Sequence, residues 1–205
     1  MALNINNHKI IQWNCQGITN NYADLINLIH DENPDILLKN EIWSKPEKNF
    51  KIKNFYIERL DRADKVRGRR IATLIKNAGL CQKMNLNLNG LPRKLDVLAI
   101  KLENITNICC SSDTSLSIRT LQQILNQVSS PFILMGDLNG HHPVWGSDIS
   151  NESERNILEI VQQENLGILN DGSETRIHPP HQNKSCIDIT IVTPELGNKI
   201  FWSVL

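Results

Sequence analysis

Net charge, paired cysteines and long apolar runs are all missing from this chain, and each absence narrows what it can be. Lys plus Arg and Asp plus Glu both number 22. A nucleic-acid partner would therefore have to be met by a local patch, not by the field of the whole molecule. The five cysteines, Cys15, Cys81, Cys109, Cys110 and Cys186, are odd in number and include no C-x-x-C pair. Most lie inside apolar runs, which reads as reduced, buried thiols in a protein of the nucleus or cytoplasm. Nothing resembles a signal peptide, and no apolar run approaches membrane-spanning length. Internal repeats, low-complexity tracts and a dividing linker are also lacking. Residues 1–205 are thus expected to form a single domain, and 40% apolar residues against 21% charged supply a sizeable core.

The most informative stretch runs from Pro131 to Gly146, Pro-Phe-Ile-Leu-Met-Gly-Asp-Leu-Asn-Gly-His-His-Pro-Val-Trp-Gly. Its apolar run, Phe132 to Met135, suits one buried strand, which is expected to break at Gly136 into a polar loop. Alternate residues of an extended chain point the same way, so Asp137 and Asn139 would project together from the strand's end. A carboxylate beside an amide there suits a hard divalent cation and a phosphate oxygen. The same residues also suit a plain Asx-rich turn. Matching carboxylates elsewhere decide between the two.

Lys9 to Gly17 reads as a strand ending in a polar turn at Asn14. Tyr22 to Glu32 carries Leu25, Ile26, Leu28 and Ile29 at helical spacing and stops before Pro34. Asp35 to Glu41 is a second strand with Glu41 at its far end. Strand, helix, strand, with polar residues at the carboxyl ends, is the layout of an open α/β site. Lys65, Arg67, Arg69 and Arg70 form a basic run that suits either a phosphate grip or a solvated loop. Strands are expected over 56–62, 71–76, 95–102 and 105–110, and helices over 116–128 and 153–165. His178 and His181, set among prolines, read as a surface loop more than a zinc pair. In the last clear strand, Ser185 to Val192, Asp188 stands between Ile187 and Ile189, where a carboxylate needs a partner. Several strands follow one another directly, which favours two packed mixed sheets with helices outside.

Asn14, Glu41, Asp137, Asn139 and Asp188 thus form one candidate set at strand ends. One or two carboxylates plus waters suit Mg²⁺, which would polarise a phosphoryl oxygen and stabilise the leaving oxyanion. Asn139 would orient the phosphate or the attacking water. Asp188 would orient a histidine or share in activating that water.

Five segments, Ile-Ile-Gln-Trp-Asn-Cys-Gln-Gly, Asn-Pro-Asp-Ile-Leu with Glu41, the Asp137 stretch, Leu-Asn-Asp-Gly-Ser-Glu-Thr-Arg and Ser-Cys-Ile-Asp, resemble the endonuclease/exonuclease/phosphatase superfamily in order. Within it they are most similar to the apurinic/apyrimidinic-type endonuclease domain of jockey-like non-LTR retrotransposons. The resemblance implies an α/β four-layer sandwich, two packed mixed sheets flanked by helices. It also implies Mg²⁺-dependent cleavage, with Mn²⁺ able to substitute, of a phosphodiester in double-stranded DNA. The nick exposes a 3′ hydroxyl for target-primed reverse transcription by a reverse transcriptase of the same polyprotein. By the same resemblance Glu41 is the principal metal ligand and Asn14 belongs to the metal and phosphate site. Asp137 serves the attacking water, Asn139 contacts the scissile phosphate, and Asp188 partners a catalytic histidine. Arg67, Arg69, Arg70, Thr175, Ser185 and His142 complete a candidate DNA-contacting set.

Departures from the family pattern are expected to matter. The family's histidine lies in a Ser-Asp-His segment beyond the Trp202 position, and this chain ends at Leu205, so a truncated C-terminal strand is expected, as in a fragment or a decayed copy. Cys110-Ser-Ser-Asp-Thr-Ser115 stands where a tyrosine-containing segment is usual, Arg67-Gly-Arg-Arg70 where a glycine-rich turn is, and Asn40-Glu41 where Gln-Glu is. Two other readings stay open: an inactive DNA- or protein-binding remnant, and a phosphatase or phospholipid hydrolase on the same scaffold.

Overall fold

The computed structural model describes residues 1–5, 8–15, 17–18, 20–42, 51–60, 71–76, 81–92, 95–102, 105–112 (backbone only), 115–147, 150–175 and 185–205. Strands β1 (Ala2–Ile5), β2 (His8–Asn14) and β3 (Ile36–Asn40) surround helix α1 (Tyr22–Glu32) in the chain. They are followed by β4 (Tyr56–Arg59), β5 (Ala72–Ile75), β6 (Cys81–Met84), β7 (Leu95–Leu102) and β8 (Ile105–Ser112). Helix α2 (Ile118–Leu125), β9 (Phe132–Asp137), a 3-10 turn over Pro143–Trp145 and α3 (Glu152–Gln163) form the central part. The chain closes with β10 (Gly167–Ile168), β11 (Asp188–Val192), α4 (Pro194–Gly197) and β12 (Phe201–Ser203).

Local signals account for the helices. The turn after α1 is made by Asn33 in the left-handed region (φ 47), its N–H donating to Ile29 O, just before Pro34. Ser117 caps α2 by accepting the Thr120 N–H at 3.2 Å. At α3, Asn151 and Glu154 form a reciprocal capping box.

Among the described residues two six-stranded sheets result, in the orders β12-β1-β2-β3-β5-β4 and β10-β11-β9-β8-β7-β6. Each is mixed: β2–β3 and β8–β9 are parallel pairs among antiparallel ones. Alternation along the strands sorts side chains into layers. Ile36 and Leu38 join Ile10, Leu98, Ile100 and Met135 in a core between the sheets. Leu37, Ile11 and Leu74 turn outward onto Leu25 of α1. Ala99, Leu134 and Ile189 pack on the other side against Leu121 and Ile124 of α2 and Ile157 and Ile160 of α3. Helix, sheet, sheet and helix give four layers, as expected from the run of strands.

Three expectations are corrected. The strand carrying Asp137 does not break at Gly136 but runs on through Asp137, because both residues pair in register with Ile189 and Asp188 of β11. The strand expected from Ser185 begins only at Asp188, and the stretch expected from Tyr56 ends at Arg59. Strands β1, β6 and β12 were not anticipated. β1 and β12 are three or four residues long and pair with each other from opposite ends of the chain, a relationship no local pattern reveals. Among the described residues, no helix is long and apolar enough to cross a membrane.

Candidate active site

The core between the sheets turns polar at one end. On the first sheet the inward positions beyond Ile10 are Gln12 and Asn14, and beyond Leu38 comes Asn40, which pairs in register with Asn14. On the second sheet, a single cross-strand row joins Asp96 to Ser111, Ser111 to Asp137 and Asp137 to Asp188. In-register neighbours share a face. Asp96, Asp137 and Asp188 therefore all stand on the inner face, at exposures of 2%, 2% and 5%.

Glu41 follows β3 with φ 55, and Asn139 follows β9 with φ 48. Left-handed backbone is uncommon outside glycine, though asparagine tolerates it, and it is held only where neighbours over-determine it. At Glu41 the carbonyl accepts the Gly17 N–H at 2.8 Å, while the preceding Asn40 carbonyl accepts the Cys15 N–H at 3.2 Å. Each residue thereby turns out of its strand into a common cleft of about 970 Å³.

Asn14, Glu41, Asp137, Asn139, Thr175 and Asp188 all line that cleft. Asn14 Nδ2 donates to Asp137 Oδ2 across the two sheets at 3.1 Å. The other oxygen of Asp137, Oδ1, accepts the Asn139 N–H at 3.3 Å. Gln12 Nε2 donates to Asp188 Oδ1 at 2.7 Å, and the Asp188 N–H donates to Thr175 Oγ1 at 3.2 Å. Burial pushes the Asp188 carboxyl above its ordinary value, with the Gln12 hydrogen bond, the positive charge of the Met1 ammonium and the Thr175 hydrogen bond opposing and the negative charge of Glu41 adding to the rise.

The other candidate residues fall elsewhere. Arg67, Arg69 and Arg70 lie outside the described residues, as do Lys65, His178 and His181. Ser185 is 4% exposed and is not among the residues lining the cleft. His142 is not among the lining residues: its Nε2 lies 3.2 Å from Glu154 Oε1 and its Nδ1 accepts the Val144 N–H at 2.9 Å. Both ring nitrogens are thus engaged within the fold, and its expected place in a DNA-contacting set stays a proposal.

Gln12 was missed. It interrupts an apolar run, Ile10-Ile11-Gln12-Trp13, and is 2% exposed. That is the signal that marked Asp188, and the two turn out to be hydrogen-bonded to each other.

The cleft lining suits a hard cation. It presents the carboxylates of Asp24, Glu41, Asp137, Glu174 and Asp188 against one cation among the described residues, the N-terminal ammonium of Met1. Among those residues no three His, Cys, Asp or Glu side chains gather closely enough to cage a metal by themselves. One or two carboxylates with amide oxygens and water is the donor set of Mg²⁺, which keeps several waters, and not of a tetrahedral zinc site.

Residues 104–204 match a family model described as endonuclease-reverse transcriptase. A curated relative, the probable RNA-directed DNA polymerase from transposon BS of Drosophila melanogaster, is 25% identical over 89% of the chain. The chain spans only about a fifth (21%) of that relative's length. Among solved structures, the endonuclease domain of TRAS1, a telomere-specific non-LTR retrotransposon, superposes with TM-score 0.71 at 14% identity, over 93% of this chain and 87% of that one. An AP endonuclease from Archaeoglobus fulgidus gives 0.70 at 14% identity, over 93% and 88%. At such identity these two likenesses speak for the fold. Fold and family match together make the chain similar to the endonuclease/exonuclease/phosphatase superfamily. Within it, the chain resembles the endonuclease domain of non-LTR retrotransposons.

Proposed function

We propose that this chain, as a single domain, is a divalent-metal-dependent DNA endonuclease that nicks double-stranded DNA to leave a 3′ hydroxyl for reverse transcription. The observation that carries the reading is the meeting of Asn14, Glu41, Asp137, Asn139 and Asp188, from four different strands and their ends, in one acidic cleft. An acidic cleft repels a polyanion unless a cation bridges them. Mg²⁺, with Mn²⁺ as a substitute, fits the oxygen donors of Glu41 and Asn14, and would supply charge neutralisation at the phosphoryl and leaving oxygens. The length of the curated relative supports a place for the domain in a reverse transcriptase polyprotein.

In this reading the residues divide the work. Asp137, its two oxygens fixed by Asn14 and by the Asn139 amide, accepts the proton of the attacking water on a remaining lone pair. The Asn139 carboxamide donates to a non-bridging phosphate oxygen and orients it. Asp188 retains a proton to higher pH than an ordinary carboxyl. It is therefore suited to return one towards the departing oxygen. Thr175 anchors the strand end that carries it.

Nicking of supercoiled plasmid with Mg²⁺ or with EDTA, alongside Glu41→Ala, tests the proposal. Mg²⁺-dependent nicking that falls by about 100-fold or more in the variant is expected. A folded chain that binds DNA but never nicks it would instead favour a binding-only domain.

A further inference from the structure

We propose that Asn151 is a positioning residue of this site, its side-chain amide holding Asn139 in the turned-out conformation that presents the Asn139 carboxamide to the cleft. The inference rests on the nuclease reading above.

Asn151 lies outside the cleft lining, at the N-cap of α3, and its carboxamide makes three hydrogen bonds. Oδ1 accepts the Glu154 N–H at 3.0 Å and the His141 N–H at 3.2 Å. Nδ2 donates to the Asn139 carbonyl at 2.6 Å. The orientation of the amide is forced, because exchanging Oδ1 and Nδ2 would set oxygen against the Asn139 carbonyl and NH₂ against two N–H donors. Asn139 is thus gripped at both ends by side chains, its N–H by Asp137 and its carbonyl by Asn151. Between those two bonds its backbone sits at φ 48, away from the extended conformation of the strand it leaves.

The support continues behind Asn151. Glu154 Oε2 accepts the Asn151 N–H at 3.2 Å, and Glu154 Oε1 faces His142 Nε2. The His142 ring in turn accepts the Val144 N–H. One side chain therefore ties the helix cap, the loop after β9 and the reacting amide together. A helix cap alone needs only an acceptor; the donor directed at Asn139 is what capping does not explain.

Asn151→Asp separates the two roles. Aspartate is nearly isosteric, keeps the acceptor and remains a good N-cap, but it offers no donor to the Asn139 carbonyl. Expected are a melting temperature within about 3 °C of the parent, a kcat for plasmid nicking lower by about 30-fold, and a KM within about twofold. Hydrogen exchange at the Asn139 amide should quicken by about tenfold while the amides of α3 keep their protection. Asn151→Ala, which also loses the cap, should lower both kcat and melting temperature. Parental kcat and unchanged Asn139 exchange in Asn151→Asp would overturn the proposal. So would a melting temperature depressed as far as that of Asn151→Ala, which would mean that the bond to the Asn139 carbonyl supports the whole fold and not the site in particular. If the parent chain does not nick DNA, the nuclease reading fails by itself, and the exchange rate of Asn139 still decides whether Asn151 holds it.

Discussion

Asn14 and Asp137 belong to different sheets, yet the amide of one donates to the carboxylate of the other at 3.1 Å. They stand 123 positions apart in the chain and meet only when both sheets are packed. The site is therefore a product of the sandwich, not of either half. Its acid–base chemistry should be as cooperative as the packing itself.

That relationship predicts non-additivity. Asn14→Ala and Asp137→Ala should each slow nicking strongly, and the double variant should be little slower than the worse single one. Contacting residues of one network couple by about 0.5–3 kcal/mol. Here about 1 kcal/mol or more is expected in the ratio of kcat/KM values around the cycle. Effects that simply multiply would mean the two groups act independently, whatever their distance.

Much of this was legible in the chain because the candidate residues are polar where strands are apolar. Glu41 and Asn139 end apolar runs, and Asp188 stands inside one; a polar group there needs a partner or a ligand. The resemblance to a known superfamily added the roles. Gln12 carried the same signal and was passed over, since an amide in a strand draws less notice than a carboxylate. Register was not legible. The cross-strand row from Asp96 to Asp188 and the pairing of β1 with β12 depend on contacts between distant segments. Nor was the pairing of His142 with Glu154, because it depends on where α3 places Glu154. Asn139 was expected to follow strand alternation, and it lines the cleft by leaving that alternation through a left-handed turn.

Gly146 should be nearly intolerant of a side chain. Its φ is 95, and a Cβ there would meet the Gly172 carbonyl oxygen at 2.3 Å, a backbone atom that cannot rotate aside. This contact ties the Pro143–Trp145 turn to the segment leading into Thr175 on the cleft wall. Gly146→Ala is expected to cost about 2–4 kcal/mol, from the left-handed conformation and the clash together. Urea unfolding checks this, and Gly90→Ala offers a comparison: it has φ 79 but nothing within 4 Å, so it should carry only the conformational part.

Asp188 predicts a pH dependence of stability. Its folded carboxyl titrates above the ordinary 3.8, so its contribution is complete below that value and is lost as pH rises through the raised one. Asp188→Asn keeps an oxygen to accept from Gln12 Nε2 and has no charge to bury. The variant should gain on the parent as pH rises from about 4 towards about 7, by a few degrees of melting temperature, while losing activity. A melting-temperature difference that stays flat across this range would show that Asp188 is not held against its charged form.

Lys39 sets the opposite sign. Its side chain is fully buried on the α1 side of the first sheet, with Nζ 4.0 Å from the centroid of the Trp13 ring. Burial lowers its pKa from 10.5 to about 8, against the opposing pull of the neighbouring Cys15. Below about 8 the folded chain carries the whole cost of an enclosed ammonium. Between there and 10.5 the folded state sheds the proton before the unfolded one does, so stability recovers as pH rises. A cation–π contact returns about 1–2 kcal/mol, less than such burial costs. Lys39→Met, which keeps the length and removes the charge, should therefore stabilise the protein by about 1–3 kcal/mol near neutral pH, with the advantage narrowing towards pH 10. Paired urea titrations of parent and variant at both pH values measure it. A variant less stable than the parent at neutral pH would mean that the ammonium on Trp13 holds the strand before Glu41 more firmly than an apolar side chain can.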